Sequence, residues 1–206
     1  MRTNAYIDGF NLYHSILDLH DDRLKWLNLR ALCERFLQDS DILDKVYFFS
    51  AYLTHNQEKF SRHQNYVKAL QSVGVTPVMG KFKKKYPKCK LCHQQYQTYE
   101  EKESDINIAI TLLKDAFLDD FDKAFLITAD TDLVSTIKMI KEIFPQKRII
   151  LLTPPQRHIY ARELIQNANA SFEIRKTHLK ASLLPDILSF NGETIKIPEI
   201  YTKEQQ

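Results

Sequence analysis

Four aspartates, Asp8, Asp105, Asp130 and Asp132, each stand where an apolar run ends or a helical pattern begins, and Asn11 lies close to the first of them. Carboxylates gathered at one place repel, and each disfavours the ionisation of its neighbours unless a cation neutralises them. Hard oxygen donors select magnesium or manganese over zinc. A divalent ion held there lowers the pKa of a bound water and steadies charge on a phosphoryl oxygen, and a second ion can assist the leaving oxygen. The matching reaction is in-line hydrolysis of a phosphodiester, with one ion or two. The competing reading is helix capping: Asn11, Ser104 and Asp132 are favoured cap types, and Asp105 in a first turn complements the helix dipole. Capping suffices for any one of these residues alone. It does not explain all of them at one rim.

The apolar pattern says which elements must bring them there. Ala5-Tyr6-Ile7 is a short run stopped by Asp8-Gly9, and Leu12, Ile16, Leu17 and Leu19 follow at helical spacing, which reads as strand, tight turn, helix. Residues 27–36 and 57–73 read as helices, 45–51 as a strand covered on both sides, and 75–79 as a short strand. A helix over 105–117 follows, then a strand over 123–128 that ends just before Asp130 and Asp132, then a helix over 133–144. Strand 148–152, helix 158–168 and strand 172–174 continue the alternation. Beyond Pro185 the tail drapes over the surface or forms a hairpin around Asn191-Gly192. This order predicts an α/β fold, a mostly parallel central sheet with helices on both faces. In such sheets ligands bind beyond the carboxyl ends of the strands. The expected organisation is one domain over 1–175 with a Lys/Cys-rich insertion at 81–101, and a C-terminal extension over 176–206 packed on it.

A chain of 206 residues, 44% hydrophobic and 27% charged, suits a globular protein with a real core. A net charge of +3 and a pI near 8.6 are only mildly basic, so the distribution of charge rather than its sum bears on a nucleic-acid partner. Three cysteines argue against a disulfide framework and suit a reducing interior. No signal-like apolar run follows the first residues, and no uncharged stretch reaches the roughly 18 residues of a membrane span, so the cytoplasm is the expected location, without a membrane partner. Lys81, Lys83, Lys84, Lys85, Lys88 and Lys90 crowd together with Phe82 and Tyr86. Lysines bind phosphates without regard to sequence, and aromatics stack on unpaired bases. A solvated basic loop is the plain alternative, and helix faces carry charges such as Lys138, Arg157 and Arg162 without purpose.

Cys89-Lys90-Leu91-Cys92-His93 has the knuckle spacing used for zinc. A structural zinc takes four ligands, so Cys89, Cys92 and His93 would need His63 or a neighbouring chain to complete the set. Free thiols or a redox-labile pair are the alternatives, and Cys33 on an apolar helix face belongs to the core. His14, His20, His55, His158 and His178 show no Ser/His/Asp or Cys/His order. With four glycines the chain has neither a Walker loop nor a Rossmann fingerprint.

The segment Ile7-Asp8-Gly9-Phe10-Asn11-Leu12-Tyr13 resembles the opening motif of the NYN domain family of PIN-like nucleases. Glu101-Lys102-Glu103-Ser104-Asp105-Ile106 resembles its middle motif and Ile127-Thr128-Ala129-Asp130-Thr131-Asp132-Leu133 its third, in order and spacing over residues 3–175. Within the family the chain is most similar to the bacterial branch that carries a Cys-x-x-Cys before the middle motif. The resemblance implies a three-layer PIN-like fold and metal-dependent endoribonuclease activity on single-stranded or structured RNA. It also implies that Asp8, Asp105, Asp130 and Asp132 are the metal-binding acids, with Asn11 close by. Ala129 stands where the family commonly has glycine, which suggests a turn that needs no positive φ. Glu103 stands where a small residue is common, and adds an extra or merely solvated carboxylate. Two other readings remain open at this point: a non-catalytic RNA- or protein-binding module, against which the retained acids count, and a DNA nuclease or phosphatase using the same metals. A homo-oligomer is compatible with the sequence.

Overall fold

The apolar run that opens the chain becomes β1 (Arg2–Asp8), buried at every residue but the first, and the sheet is laid down on either side of it. The computed structural model describes residues 1–202. After β1 come α1 (Gly9–Leu17), α2 (Leu29–Glu34), β2 (Ile42–Ala51), α3 (Gln57–Ser72), β3 (Val75–Lys85), β4 (Thr98–Lys102) and α4 (Ser104–Phe117). The second half adds β5 (Lys123–Ile127), α5 (Val134–Ile143), β6 (Arg148–Thr153), α6 (Arg162–Asn167), β7 (Ala170–Glu173), α7 (Lys176–Lys180), β8 (Ile187–Phe190) and β9 (Glu193–Lys196). Seven strands form one sheet in the order β4-β3-β2-β1-β5-β6-β7. Every pairing in it is parallel except β3 with β4. The fold is therefore α/β, with a mostly parallel sheet covered by helices on both faces.

Alternation along the strands sends neighbouring side chains to opposite faces. Ile7 and Phe48 pack with Leu12 and Ile16 of α1, Leu32 of α2 and Val67 and Leu70 of α3. Tyr6, Phe49 and Leu126 pack on the other face with Ile108 and Leu112 of α4, Ile137 and Ile140 of α5, and Leu164 of α6. A third cluster joins Trp26 and Ala69 to Leu184 and Ile195 of the tail, and the Trp26 indole N–H donates to the Pro185 carbonyl at 2.9 Å.

The strand order decides where a ligand can sit. The chain builds outward from β1 through β2, β3 and β4, then returns to add β5 on the other side of β1. Between β1 and β5 the winding reverses, and at such a point the crossovers diverge and leave a crevice beyond the carboxyl ends of the strands.

The largest departure from the expected pattern is the lysine-rich insertion. β3 does not stop near residue 79 but runs to Lys85, and β4 pairs with it antiparallel, Lys81 opposite Lys102 and Lys85 opposite Thr98. Acidic residues of the returning segment help hold the run as a ribbon: Lys85 pairs with Glu100 across it and Lys81 with Glu103 just past β4, while Lys102 pairs with Glu100 within β4. The expected helix at 27–36 is shorter, starting where Asn28 accepts from the Ala31 N–H at 3.0 Å. The expected helix at 158–168 is a 3-10 turn at His158–Tyr160 followed by α6. The tail takes the hairpin form: Asn191 and Gly192 both have positive φ, 52° and 81°, as a tight two-residue turn between twisted strands requires.

Gly9, where β1 turns into α1, lies against β2. A Cβ there would stand 2.6 Å from the Phe49 carbonyl oxygen and 2.5 Å from the Phe48 ring. Gly9→Ala is expected to destabilise the protein by about 1–3 kcal/mol, because backbone cannot yield as a side chain can. Urea denaturation checks this, and an unchanged midpoint would show that the turn has room to spare.

Candidate metal centre

Asp8 ends β1 and caps α1 at once. Its Oδ1 accepts from the Asn11 N–H at 2.9 Å and its Oδ2 from the Thr128 hydroxyl at 3.0 Å. Capping and clustering, set against each other by the sequence, are one arrangement here. The same Thr128 Oγ1 accepts from the Asp130 N–H at 3.0 Å, and Asn11 Oδ1 accepts from the Ala129 N–H at 3.1 Å. Asn11 and Thr128 thus lace the start of α1 to the end of β5. Ala129 is not among the residues of positive φ, in keeping with a turn that needs no glycine.

Asp130 caps the short turn after β5, its Oδ1 accepting from the Asp132 N–H at 3.0 Å. Asp132 is exposed, and Asp105 is half-buried in the first turn of α4. That helix begins after Glu103, which is held at φ 82° in the left-handed region that a small residue adopts more cheaply.

The electrostatics tie these acids together. The Asp8 carboxyl is 4% exposed and pushed up to about 6, chiefly by burial. The hydrogen bonds from Asn11 and Thr128 oppose that shift, and the charges of Asp105 and Asp130 add to it. Asp105 is also pushed up to about 6, first by burial and then by the charges of Asp130, Glu101 and Asp132. The four aspartates therefore share one electrostatic neighbourhood, and none of them is in an ion pair among the described residues. Acids elsewhere are treated differently: Asp41 pairs with the buried Lys123, Asp119 with Lys147, and Asp120 with Lys45. Among the described residues, no three carboxylate, histidine or cysteine side chains stand together in a ready-made ligand cage.

Two residues were missed by the sequence reading of the site. Thr128 lies inside the third motif, and its hydroxyl is what ties Asp8 to β5. Glu101 lies inside the middle motif, and its carboxylate accepts from the Ser104 N–H at 3.2 Å while its charge reaches Asp105.

The cysteines and lysines sit on the β3–β4 ribbon and its tip. Cys89 and Cys92 are free thiols. The peptide N–H groups of Cys92 and Leu91 face the Cys89 sulfur and lower its pKa. His93 follows at φ 57°, but the three form no joint ligand group, and His63 packs instead against the rings of Phe48 and Tyr52. Of the lysines singled out, Lys81 and Lys85 are engaged in the cross-strand ion pairs, while Lys83, Lys84 and Lys88 are exposed, as is Tyr86.

Residues 2–179 match the NYN domain. One curated relative, 6-hydroxy-3-succinoylpyridine 3-monooxygenase HspA of Pseudomonas putida (strain DSM 28022 / S16), is 24% identical, the match covering 95% of this chain and 74% of the relative. A crystal structure of a protein of unknown function from Vibrio parahaemolyticus RIMD 2210633, VPA0982, has a TM-score of 0.57 at 16% identity. It covers 89% of this chain and 96% of its own, a likeness of fold.

A pH dependence follows from the raised carboxyls. Their folded-state values lie above the ordinary ones, so the folded protein holds protons that the unfolded chain has released, and these acids destabilise the metal-free fold above about pH 6. That cost fades as the pH falls from about 6 toward about 4. His63, pulled down to about 4 by burial, acts in the opposite sense. The telling quantity is therefore the difference between wild type and Asp8→Asn. In chelator the variant is expected to be the more stable at pH 8, by up to about 3 kcal/mol for a rise from 3.8 to about 6, with the gap closing toward pH 4. Thermal melts across that range check it, and a gap that does not change with pH would contradict it.

Proposed function

The chain belongs to the NYN domain family, and we propose that it is a magnesium- or manganese-dependent ribonuclease whose metal centre is the crevice between β1 and β5. The observation that carries this reading is Asp8: a nearly buried carboxylate, hydrogen-bonded to the ends of both flanking segments, among like charges and in no ion pair among the described residues. A fold that meant these acids only as caps would have no reason to leave them mutually unfavourable.

The donor set fits a hard divalent ion. Magnesium keeps several waters and takes one or two carboxylates directly. Asp8, Asp105 and Asp130 would hold the ion, with Asp132 at the solvent side. When bound, such an ion supplies Lewis acidity to a phosphoryl oxygen and makes an attacking water more acidic. The protein's own residues do the rest. Asp8 is fixed by its two hydrogen bonds, and its remaining lone pairs are free to accept. Asn11, with its amide oxygen occupied by the Ala129 N–H, positions the loop that carries Asp130. Lys83, Lys84 and Lys88 offer phosphate contacts along the ribbon that leads into α4. Water adds to phosphorus, the bond to the departing ribose oxygen breaks, and that oxygen takes up a proton.

Cleavage of single-stranded RNA with manganese or magnesium, beside chelator controls, tests the reading. Asp8→Asn and Asp130→Asn keep side-chain size while removing ligand charge, and each is expected to cut the rate by about a hundredfold or more. Equal cleavage by the variants and wild type would contradict the assignment. DNA, small phosphoesters and a hydroxypyridine belong in the same panel, the last because the Pseudomonas relative is named for it. Oxygenation of the hydroxypyridine without cleavage of any nucleic acid would overturn the proposal. The ribbon gives an independent measurement. Replacing Lys83, Lys84 or Lys88 by alanine is expected to flatten the salt dependence of RNA binding by about 0.7 in the log–log slope per lysine lost. Slopes that do not move would remove the ribbon from the binding surface.

A further inference from the structure

A cavity of about 550 Å³ lies between α1 and α3, within the size range of small-ligand sites. Its walls are aromatic, with Phe10 from α1, Phe48 from β2, Tyr66 from α3 and Phe82 from β3. Phe82 stands edge-on to Phe10 at 5.7 Å, so the ribbon closes one side. Three cations, Lys25, Lys59 and Arg62, also line it. Lys25 and Arg62 are ion-paired with Asp22 and Glu58, whereas Lys59 has no ion-pair partner among the described residues. Inside, the buried hydroxyl of Ser50 lies 3.4 Å from Nε2 of His63, a polar pair beside the aromatic rings.

Two lining residues connect this space to the acids. Gly9 follows Asp8 directly, and Glu101 is the carboxylate whose charge reaches Asp105. Rings that can stack, cations that can meet an anion and a polar pair that can read an edge together suit a planar heteroaromatic ring with a negatively charged substituent. A nucleotide is such a group. One standing beside the crevice would place the phosphate on its other side among the acids.

We infer that the cavity receives one unpaired nucleotide of the RNA, its base among Phe10, Phe48, Tyr66 and Phe82 and its phosphate toward Lys59 and Arg62. The assignment rests on the ribonuclease reading and adds a base subsite to it. A base stacked in a duplex cannot enter, so the site selects strands with at least one unstacked base.

The test is binding in chelator, which silences cleavage. Adenosine 5′-monophosphate and ribose 5′-phosphate are titrated into isotope-labelled protein, and an oligoribonucleotide carrying 2-aminopurine is followed by fluorescence. The expected result is that adenosine monophosphate shifts the amides of Gly9, Tyr66 and Phe82. It should bind about tenfold or more tightly than ribose phosphate, the difference a stacked base makes. Aminopurine emission should fall on binding. Lys59→Ala, at an exposed position, and Phe82→Ala should each weaken nucleotide binding by about tenfold.

Equal binding of ribose phosphate, unchanged affinity in both cavity variants, or binding of a hydroxypyridine carboxylic acid but not of the nucleotide would each overturn the inference. Cleavage of RNA by a protein that binds no mononucleotide would sink the subsite and leave the nuclease standing. Mononucleotide binding by a protein that cleaves no RNA would do the reverse.

Discussion

Asp8 stands at the carboxyl end of β1, the strand from which the two halves of the sheet diverge. One of its oxygens is tied to the first turn of α1 and the other to the hydroxyl at the end of β5. Burial raises the energy of its charge, and the two hydrogen bonds recover only part of that, so the carboxyl ends up near 6 rather than in its ordinary range. Gly9 has to be glycine for the same reason: the turn that lifts Asp8 into place presses on the backbone of β2. Asn11, Thr128 and Asp130 then follow as one hydrogen-bonded set around that carboxylate.

The contrast with the other acids gives this cluster its meaning. Asp41 is buried too, but it faces Lys123 and its carboxyl is held below the usual range despite the burial. Asp119 and Asp120 are likewise lowered by lysines beside them, and Asp122 by the Arg2 backbone N–H and then its guanidinium. The protein pairs these structural carboxylates with its own lysines and arginines, whereas Asp8, Asp105, Asp130 and Asp132 are in no ion pair among the described residues. On the ribbon that leads into α4, Lys81 and Lys85 are spent on Glu103 and Glu100.

Much of this was legible in the chain, for a local reason. A strand ending in Asp8-Gly9 and another ending before Ala129-Asp130 announce themselves by apolar runs that stop, and the carboxyl-end rule then brings the acids together. What was hidden is non-local. The ribbon shows no strand period in the sequence, because like charges in succession give no sign of the segment that pairs with them. The bond from Ala129 to Asn11 spans residues far apart in sequence, and so does the bond from Thr128 to Asp8. The aromatic cavity draws on α1, α3, the ribbon and Tyr201 near the end of the described chain, so no window of sequence contains it. The choice of RNA owes most to the family resemblance, since carboxylates recognise a phosphoryl group and its metal rather than a sugar.

The most direct test of the central claim is where a divalent ion goes. Crystals soaked in manganese and measured for anomalous scattering should show a peak in the crevice between β1 and β5, with carboxylate oxygens of Asp8 and at least one of Asp105 and Asp130 at about 2.1–2.2 Å and water filling the remaining positions. A peak bound elsewhere, with the crevice acids left to protons and solvent, would contradict the account.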